Sequence, residues 1–228
     1  MKMNIVYIFI LLNGCIFAKY DLMDLHKITK GAPHEIINAM KYLDQLERDF
    51  DADWQIYHDI LPRMINEHKF KTGVEIGVSF GTHCKKILER TQVEKLYGID
   101  PYLNYGDPTN TVMPDLWFDV FYHKVADKLF QFGSRFELLR DFSTQAALKF
   151  DDASLDFIFL DANHTFKAVM EDLRAWYPKV KSGGIMAGDD YATCHPGVPL
   201  AVDAFFKEKG LEVHLDSNQK RFWWVVKR

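Results

Sequence analysis

The stretch that decides the fold runs from Lys71 to Thr82 and reads Lys-Thr-Gly-Val-Glu-Ile-Gly-Val-Ser-Phe-Gly-Thr. It combines an apolar strand, predicted over Val74–Val78, with glycines at positions 77 and 81 and a helical pattern that opens at Thr82. Glycines let the backbone come close to a ligand, and the start of a helix offers N–H groups that lack intrahelical partners. This order of elements is typical of sites for extended, partly charged ligands, although it also occurs as a purely structural turn.

A second short strand, predicted over Lys95–Asp100, follows about one βα unit later and ends in an acid. A carboxylate at that strand end is placed to accept hydrogen bonds from two ribose hydroxyls. The alternative is that Asp100 opens a turn, since Asp-Pro is a common turn opener. Together the two elements favour a nucleotide-type ligand, although the Glu-x-Gly-x-x-x-Gly spacing differs from the Gly-x-Gly-x-x-Gly of dinucleotide folds.

The composition is that of an ordinary globular protein. The chain has 228 residues, of which 48% are hydrophobic and 26% charged, enough for one domain with a sizeable core. A formal net charge of −4 and a pI near 6.1 provide no electrostatic footprint for nucleic acid, so we expect no nucleic-acid partner. The sequence leaves the oligomeric state open.

The first 18 residues have a pattern of their own. One basic residue near the start is followed by the apolar run Ile5–Leu12 and by a small residue, Ala18, before Lys19. This layout is typical of a secretory signal peptide and is too short to span a bilayer. Leu12-Asn-Gly-Cys15 also resembles a bacterial lipoprotein cleavage site, and the alternative is a buried N-terminal strand or helix. We therefore expect export when the signal is used, a cytoplasmic protein otherwise, and no stable membrane span after signal removal.

Two amphipathic helices are predicted before the first core strand, over Pro33–Phe50 and Trp54–Phe70, the second with a kink at Pro62. The predicted division of the chain is thus a signal segment at 1–18, a helical cap at 19–70 and an α/β domain at 71–228. Beyond Cys15, the two cysteines Cys84 and Cys194 are too few for a disulfide framework; they are plain thiols or form a single bridge.

The remaining pattern predicts the rest of the sheet. Further strands are expected over Phe136–Leu139, Leu155–Leu160 and Ile185–Gly188, with a closing hairpin of Leu211–Leu215 and Phe222–Val226. The predicted fold class is α/β: a Rossmann-like, doubly wound, mostly parallel seven-stranded sheet, closed by an antiparallel C-terminal hairpin and preceded by extra N-terminal helices.

Acids follow several of these strands: Asp100, Asp161, Asp189 and Asp190. The carboxyl ends of parallel strands form one rim, so these side chains are expected to converge. Carboxylates that lie close together repel one another unless a positive charge lies between them, and a hard divalent cation is the simplest such charge. The alternative is that Asp161 and Asp190 cap helices or turns.

These motifs, taken in order, resemble class I S-adenosylmethionine-dependent methyltransferases. The resemblance is carried by the Glu75-x-Gly77-x-x-x-Gly81 turn, Gly-Ile-Asp100, Asp161-Ala-x-His164, Lys-x-Gly183-Gly184 and Gly188-Asp-Asp190-Tyr. More narrowly, the chain is similar to the metal-dependent branch that contains small-molecule and sugar O-methyltransferases. The resemblance covers roughly residues 74–206, and we therefore expect residues 71–228 to form the methyltransferase domain.

The resemblance implies a role for each matching residue. Glu75, Gly77, Ser79 and Gly81 would line the methionine and ribose end of the cofactor, Asp100 would hold the ribose hydroxyls, and Asp141 and Ser143 would flank the adenine. The family usually has Gly-Asp-Ser at that last position, whereas this chain has Arg140-Asp-Phe-Ser143. Asp161, Asp189 and Asp190 would bind magnesium or a similar ion, and His164 would act beside it, with His164 and Asp161 as the catalytic pair.

The sequence therefore predicts metal-assisted methylation of a hydroxyl on a small molecule or sugar. Two alternatives stay open: an exported, non-catalytic binding protein on a methyltransferase scaffold, and a nucleotide-dependent oxidoreductase. Candidates for contact with the acceptor are Tyr102, Tyr105 and His123, which follow the second strand.

Overall fold

The computed structural model describes residues 34–54, 59–104, 113–216 and 221–228, together with the short segments 5–8 and 18–21. Its strands are β1 Ile5–Ile8, β2 Ala18–Asp21, β3 Thr72–Ile76, β4 Lys95–Ile99, β5 Phe136–Leu139, β6 Leu155–Leu160, β7 Val180–Gly188, β8 His214–Leu215 and β9 Trp223–Val226. Its α-helices are α1 His34–Trp54, α2 Ile60–His68, α3 Thr82–Arg90, α4 Asp115–Phe130, α5 Ser143–Ala147, α6 Phe166–Trp176 and α7 Gly197–Glu208. Single 3₁₀ turns precede β5 and β7, at Gly133–Arg135 and Tyr177–Lys179.

Seven strands form one sheet in the order β5-β4-β3-β6-β7-β9-β8. Strands β3 to β7 are all parallel to one another, whereas β9 is antiparallel to both β7 and β8. The predicted fold class is confirmed. After β5, which lies at the edge of the sheet, the chain crosses back to β6 beside β3, so the carboxyl ends of β3, β4, β6 and β7 meet at one rim.

Two apolar layers hold the helices against the two faces of the sheet. On one face, Leu61 of α2, Ile87 of α3 and Val125 of α4 pack in one cluster. On the other face, Trp176 of α6 and Phe206 of α7 are completely buried against the sheet. Because helices cover both faces, β6 reads Leu-Asp-Phe-Ile-Phe-Leu, nearly all apolar, rather than alternating with polar residues.

The helical cap agrees with the predicted pair of helices, with one correction. The second helix begins at Ile60, not at Trp54, so Pro62 lies in its first turn. A proline in the first turn has no intrahelical N–H bond to lose, so the kink expected at Pro62 is not needed. Among the described residues, no helix combines the length and the apolar character that a bilayer crossing requires.

At the N-terminus, β1 and β2 pair with each other in an antiparallel ladder, with Ile5 opposite Asp21. The strand form of this segment is what the alternative to a signal peptide expected, but strand backbone does not bear on export, which stays a prediction. Cys84 is buried and Cys194 is exposed, and no disulfide joins them.

Candidate functional site

The loop after β3 is shaped by three residues with positive φ: Gly77 at 88°, Ser79 at 47° and Gly81 at 70°. The strand ends at Ile76, two residues before the predicted end, because the backbone of Gly77 leaves the extended region. A Cβ on Gly77 would lie only 1.9 Å from the carbonyl oxygen of Asp161. Glycine is therefore required at position 77, because its lack of a side chain lets the loop pack against the end of β6.

Asp100, at the carboxyl end of β4, holds this loop in place. Its Oδ2 accepts hydrogen bonds from the backbone N–H groups of Val78 at 3.1 Å and Ser79 at 3.0 Å, and its Oδ1 accepts one from Tyr102 at 2.9 Å. Burial raises the pKa of Asp100, while the three backbone donors act in the opposite direction. Asp100, the residue predicted to bind the ribose, thus lies directly beside the glycine loop and also fixes the shape of that loop.

Glu75 lies beneath the loop in the interior. Only 2% of the residue is exposed, and its Oε2 lies 3.1 Å from Nδ1 of His83 on α3. Burial, and then the charge of Glu75, raises the pKa of the Cys84 thiol well above its usual value. Glu75 therefore ties β3 to α3 from below, and its predicted contact with a cofactor stays a prediction.

Asp141 and Ser143 follow β5, as predicted, but both side chains have protein partners. Lys149 donates to the Asp141 carboxylate at 2.8 Å and lowers its pKa. The Ser143 hydroxyl donates to Asp172 and accepts from Nε1 of Trp176 at 2.8 Å. Burial raises the pKa of Asp172 to about 7. Any contact of Ser143 with an adenine ring would thus involve its backbone more than its hydroxyl.

Arg140, which stands where the resemblance expects glycine, links three elements at this rim. Its guanidinium donates to Asp119 of α4 at 2.6 Å and to the carbonyl oxygen of Tyr102 at 3.0 Å, and it lies 5.3 Å from the ring centroid of Tyr122. The departure from the family pattern therefore has a local structural role, which is to fix the segment after β4 against α4.

The three candidates for contact with the acceptor differ in their placement. Tyr102 is 1% exposed, and its hydroxyl donates to the carbonyl oxygen of Ser79 at 2.8 Å, so its side chain supports the loop from inside. His123 is half-buried on α4, and burial lowers its pKa. Tyr105 lies outside the described residues.

At the ends of β6 and β7, acids and histidines form a cluster. His164 Nε2 lies 2.8 Å from Asp190 Oδ2 and 3.9 Å from Asp161 Oδ1. Asp189 and Asp190 are both buried, and Asp190 adopts a φ of 57°. Of the four acids expected to converge, Asp161 and Asp190 thus meet at His164 and Asp189 adjoins Asp190, whereas Asp100 binds the backbone of the glycine loop.

The charges in this cluster depend on one another. Burial lowers the pKa of His164, but the Asp161 and Asp190 carboxylates beside its ring outweigh that effect and raise the pKa to about 10. Burial raises the pKa of Asp161 to about 7, partly offset by the hydrogen bond to His164. At neutral pH, His164 therefore carries its proton beside the Asp190 carboxylate, whereas the raised pKa of Asp161 leaves this carboxyl partly protonated.

Two residues of this cluster were missed by the sequence reasoning, His195 and Arg221. His195 Nε2 lies 3.8 Å from Asp190 Oδ1, and the rings of His195 and His164 are 4.3 Å apart. Arg221 forms an ion pair with Asp190 and lies 3.6 Å from Asp189 Oδ2. The signal for Arg221 is topological: because β9 is antiparallel to β7, the residues before β9 arrive at the carboxyl end of β7.

This donor set fits a divalent ion. Carboxylate oxygens and imidazole nitrogens are the ligands that divalent metals take in proteins, and Asp161, His164 and Asp190 offer both kinds at one rim. Arg221 supplies part of the positive charge that the sequence argument assigned wholly to an ion.

The glycine loop and the acid–histidine cluster are neighbours, since Gly77 touches the backbone of Asp161. A Rossmann-like sheet with a glycine loop, a strand-end acid and a polar cluster along one rim defines a class of α/β proteins that bind ligands at the carboxyl ends of their strands. The sequence model of the methyltransferase domain matches residues 71–191, more than half of the chain, and the protein belongs to that family.

One curated protein is similar to part of the chain. A curated relative, "Uncharacterized protein R132" of Acanthamoeba polyphaga mimivirus, is 25% identical over 151 residues, which is 64% of this chain. The match covers 63% of the length of that relative.

Solved structures share the fold. The O-methyltransferase NovP superposes with a TM-score of 0.58 at 18% identity, over 73% of this chain and 76% of NovP. A putative caffeoyl-CoA O-methyltransferase from Staphylococcus aureus gives a TM-score of 0.60 at 14% identity, over 91% of this chain and 97% of that protein. The SAH-bound methyltransferase PaMTH1 of Podospora anserina gives 0.60 at 13% identity, over 94% and 99%.

Proposed function

We propose that this protein is an S-adenosylmethionine-dependent methyltransferase that methylates a hydroxyl group of a small molecule or sugar. The observation that carries the proposal is the contact between Gly77 and the backbone of Asp161, which joins a nucleotide-type loop to a polar cluster. Family membership and the O-methyltransferase names of the structural neighbours support the same reaction.

In this proposal the loop and the ends of β3 and β4 bind the cofactor. Asp100 holds the ribose hydroxyls and keeps the Val78–Ser79 backbone in place. Gly77 and Gly81 keep the loop free of side chains where the cofactor approaches, and Asp141 and Ser143 flank the adenine. When bound, S-adenosylmethionine supplies an electrophilic methyl group, and the protein supplies position and electrostatics.

The cluster after β6 and β7 orients the acceptor and takes up its proton. A hydroxyl is a weak nucleophile while it keeps its proton, so a nearby group has to take that proton. Burial raises the pKa of Asp161 to about 7, so this carboxylate is suited to accept the proton of the hydroxyl. His164, held at 2.8 Å by Asp190, orients the acceptor and provides positive charge.

A divalent cation at the same rim belongs to this proposal. Asp161, Asp189 and Asp190 supply carboxylate oxygens for it, and magnesium is the ion that the sequence predicts. When bound there, such an ion would supply Lewis-acid chemistry that lowers the pKa of the acceptor hydroxyl.

The test is a screen of hydroxyl acceptors, starting with sugars and catechols, in which mass spectrometry follows the transfer of one methyl group from S-adenosylmethionine. We expect transfer to at least one acceptor class by the parent protein. Asp161→Asn should reduce turnover by about 100-fold or more while cofactor binding persists, because general-base assistance contributes factors of this size.

The control is Asp152→Asn, which removes an exposed carboxylate that pairs with Lys179 elsewhere on the surface. It should leave turnover unchanged. Turnover that survives unaltered in Asp161→Asn would refute the role of the cluster. Cofactor binding without transfer to any acceptor would favour the binding-protein alternative.

A further inference from the structure

The acid–histidine cluster contains three donor atoms in a compact arrangement. His164, Asp190 and His195 each offer one ligand atom, and all of these atoms lie within 4.8 Å of one another. His164 Nε2 and Asp190 Oδ2 are 2.8 Å apart, and His195 Nε2 is 3.8 Å from Asp190 Oδ1. Ligand atoms about 2.1 Å from one ion are separated by roughly 3 to 4 Å, which is close to the spacing of these three donors.

The backbone brings the three residues together from two connections. His164 follows β6, while Asp190 and His195 lie between β7 and α7. Gly197 makes the approach possible: a Cβ there would lie 2.3 Å from the carbonyl oxygen of His164. The segment that carries His195 therefore packs directly on the segment that carries His164.

Local hydrogen bonds fix the second connection. The N–H of Ala192 donates to the carbonyl oxygen of Asp190 at 2.7 Å, and the N–H of His195 donates to that of Ala192 at 3.1 Å. The N–H of Val198 then donates to the carbonyl oxygen of His195 at 3.0 Å, where α7 begins. His195 thus lies on a tight turn anchored to a helix, which holds its ring near Asp190.

The chemistry of these donors differs from that of a magnesium site. Magnesium prefers oxygen ligands, whereas two imidazoles and one carboxylate are a set that suits iron, zinc, manganese or cobalt ions. Both histidine side chains are about one-fifth exposed, at 22% and 23%, so an ion can reach them from solvent.

Arg221 is the internal competitor of such an ion. Its guanidinium pairs with Oδ1 of Asp190, while His164 faces Oδ2 of the same carboxylate. His195 lies nearest the oxygen that Arg221 binds, so a cation between the two histidines would share the Asp190 carboxylate with Arg221, and the two positive charges would repel each other. Removal of the guanidinium charge should strengthen metal binding.

From these contacts we propose that His164, Asp190 and His195 form a binding site for a divalent transition metal. The inference deepens the proposed function, on which it rests only for placing the ion beside the acceptor. It replaces magnesium by a metal that accepts nitrogen ligands, and it adds His195, which sequence reasoning did not select. Asp161, whose Oδ1 lies 3.9 Å from His164 Nε2, is not one of the three proposed ligands.

The experiment uses the full chain after treatment with a chelator and titrates it with Co²⁺, whose visible absorption reports nitrogen ligation directly. Competition with Zn²⁺ and with Mg²⁺ gives relative affinities, and none of these readouts needs turnover. We expect one Co²⁺ per chain, displaced by Zn²⁺ but not by a large excess of Mg²⁺. His195→Ala should weaken binding by about 100-fold or more, since even partners beyond the direct ligands contribute factors of 10 to 100.

Two further variants complete the design. His34→Ala, which removes a histidine at the exposed start of α1, should leave Co²⁺ affinity unchanged. Arg221→Gln should increase the affinity by about tenfold, because it removes a like charge beside the ion. Retention of near-parent thermal stability by His195→Ala separates loss of a ligand from loss of the fold.

Three results would overturn the site. These are absence of Co²⁺ binding, equal affinity for Mg²⁺ and Co²⁺, and unchanged Co²⁺ affinity in His195→Ala. Titration of the same preparation with S-adenosylmethionine keeps the two proposals apart: cofactor binding without Co²⁺ binding refutes the metal site alone, and the reverse refutes the methyltransferase proposal alone.

Discussion

Gly77 is the residue on which the geometry of the site depends most. It has a φ of 88° and touches the carbonyl oxygen of Asp161, so both its conformation and its lack of a side chain are required. The sequence singled out this glycine for the approach of a ligand. Its contact with the end of β6 is a tertiary feature that spacing along the chain does not contain.

A matched pair of substitutions separates these two requirements. Gly133 has a φ of 56°, and a Cβ there would have no heavy atom within 4 Å. Gly133→Ala should cost only the penalty of the left-handed conformation, about 1 kcal/mol. Gly77→Ala adds a clash with the backbone of Asp161 and should lower the free energy of unfolding by on the order of 3 kcal/mol or more. It should also weaken cofactor binding.

Chemical unfolding of both variants measures the difference, and calorimetry measures the cofactor. Equal stability losses in Gly77→Ala and Gly133→Ala would contradict the close contact with Asp161.

Asp172 gives a prediction for the pH dependence of stability. Burial raises its pKa from 3.8 to about 7, so between these values the folded protein keeps a proton that the unfolded chain releases. The contribution of this group to the free energy of unfolding therefore falls as pH rises from about 4 to 7, by up to about 1.4 kcal/mol per pH unit.

Asp172→Asn removes this titration and keeps an oxygen that accepts the hydrogen bond from Ser143. Relative to the parent, the variant should gain stability as pH rises through this window, as measured by urea unfolding near pH 5 and pH 8. A constant difference between the two proteins across the window would show that the carboxyl has an ordinary pKa.

At the scale of elements, sequence periodicity predicted nearly every strand of the sheet and the long helices. The strands over Phe136–Leu139 and Leu155–Leu160 have the predicted bounds. Errors fell at irregular positions. The strand β7 starts at Val180, five residues before the predicted start, and passes through Gly183 at a φ of 79°, which reads locally as a turn.

The helical cap is joined to the sheet domain by buried charges that periodicity does not reveal. Lys128 of α4 donates to Glu47 of α1 at 2.9 Å, to the carbonyl oxygen of Phe80 at 3.1 Å and to the hydroxyl of Thr82 at 3.2 Å. One ammonium group thus connects α1, α4 and the start of α3, next to the glycine loop.

Loss of this connection should weaken the whole arrangement. Lys128→Met keeps much of the aliphatic stem but removes the one ammonium that Glu47, Phe80 and Thr82 share, and we expect a loss of about 1 to 2 kcal/mol in unfolding free energy. Lys85→Met removes an exposed partner of Glu89 at 3.8 Å and should cost less than about 0.5 kcal/mol. Thermal and chemical unfolding compare the two, and similar losses would contradict the role of Lys128 as a junction.

For the whole molecule, the topology explains why part of the site could be predicted and part could not. Acids at the carboxyl ends of parallel strands converge by a general rule, which sufficed for the proximity of Asp161 and Asp190, whereas Asp100 instead holds the glycine loop. His195 lies on a turn between β7 and α7, and Arg221 precedes the antiparallel strand β9. Their placement follows from the path of the chain after the last parallel strand, which no local motif encodes.

The central claim is that the rim of this sheet binds S-adenosylmethionine. Calorimetric titration of the full chain with S-adenosylmethionine, beside Asp100→Asn and the surface control Asp152→Asn, tests it most directly. We predict binding of one molecule per chain with micromolar affinity, retained in Asp152→Asn and lost or strongly weakened in Asp100→Asn. Absence of binding by the parent protein, or equal binding by Asp100→Asn, would contradict the account.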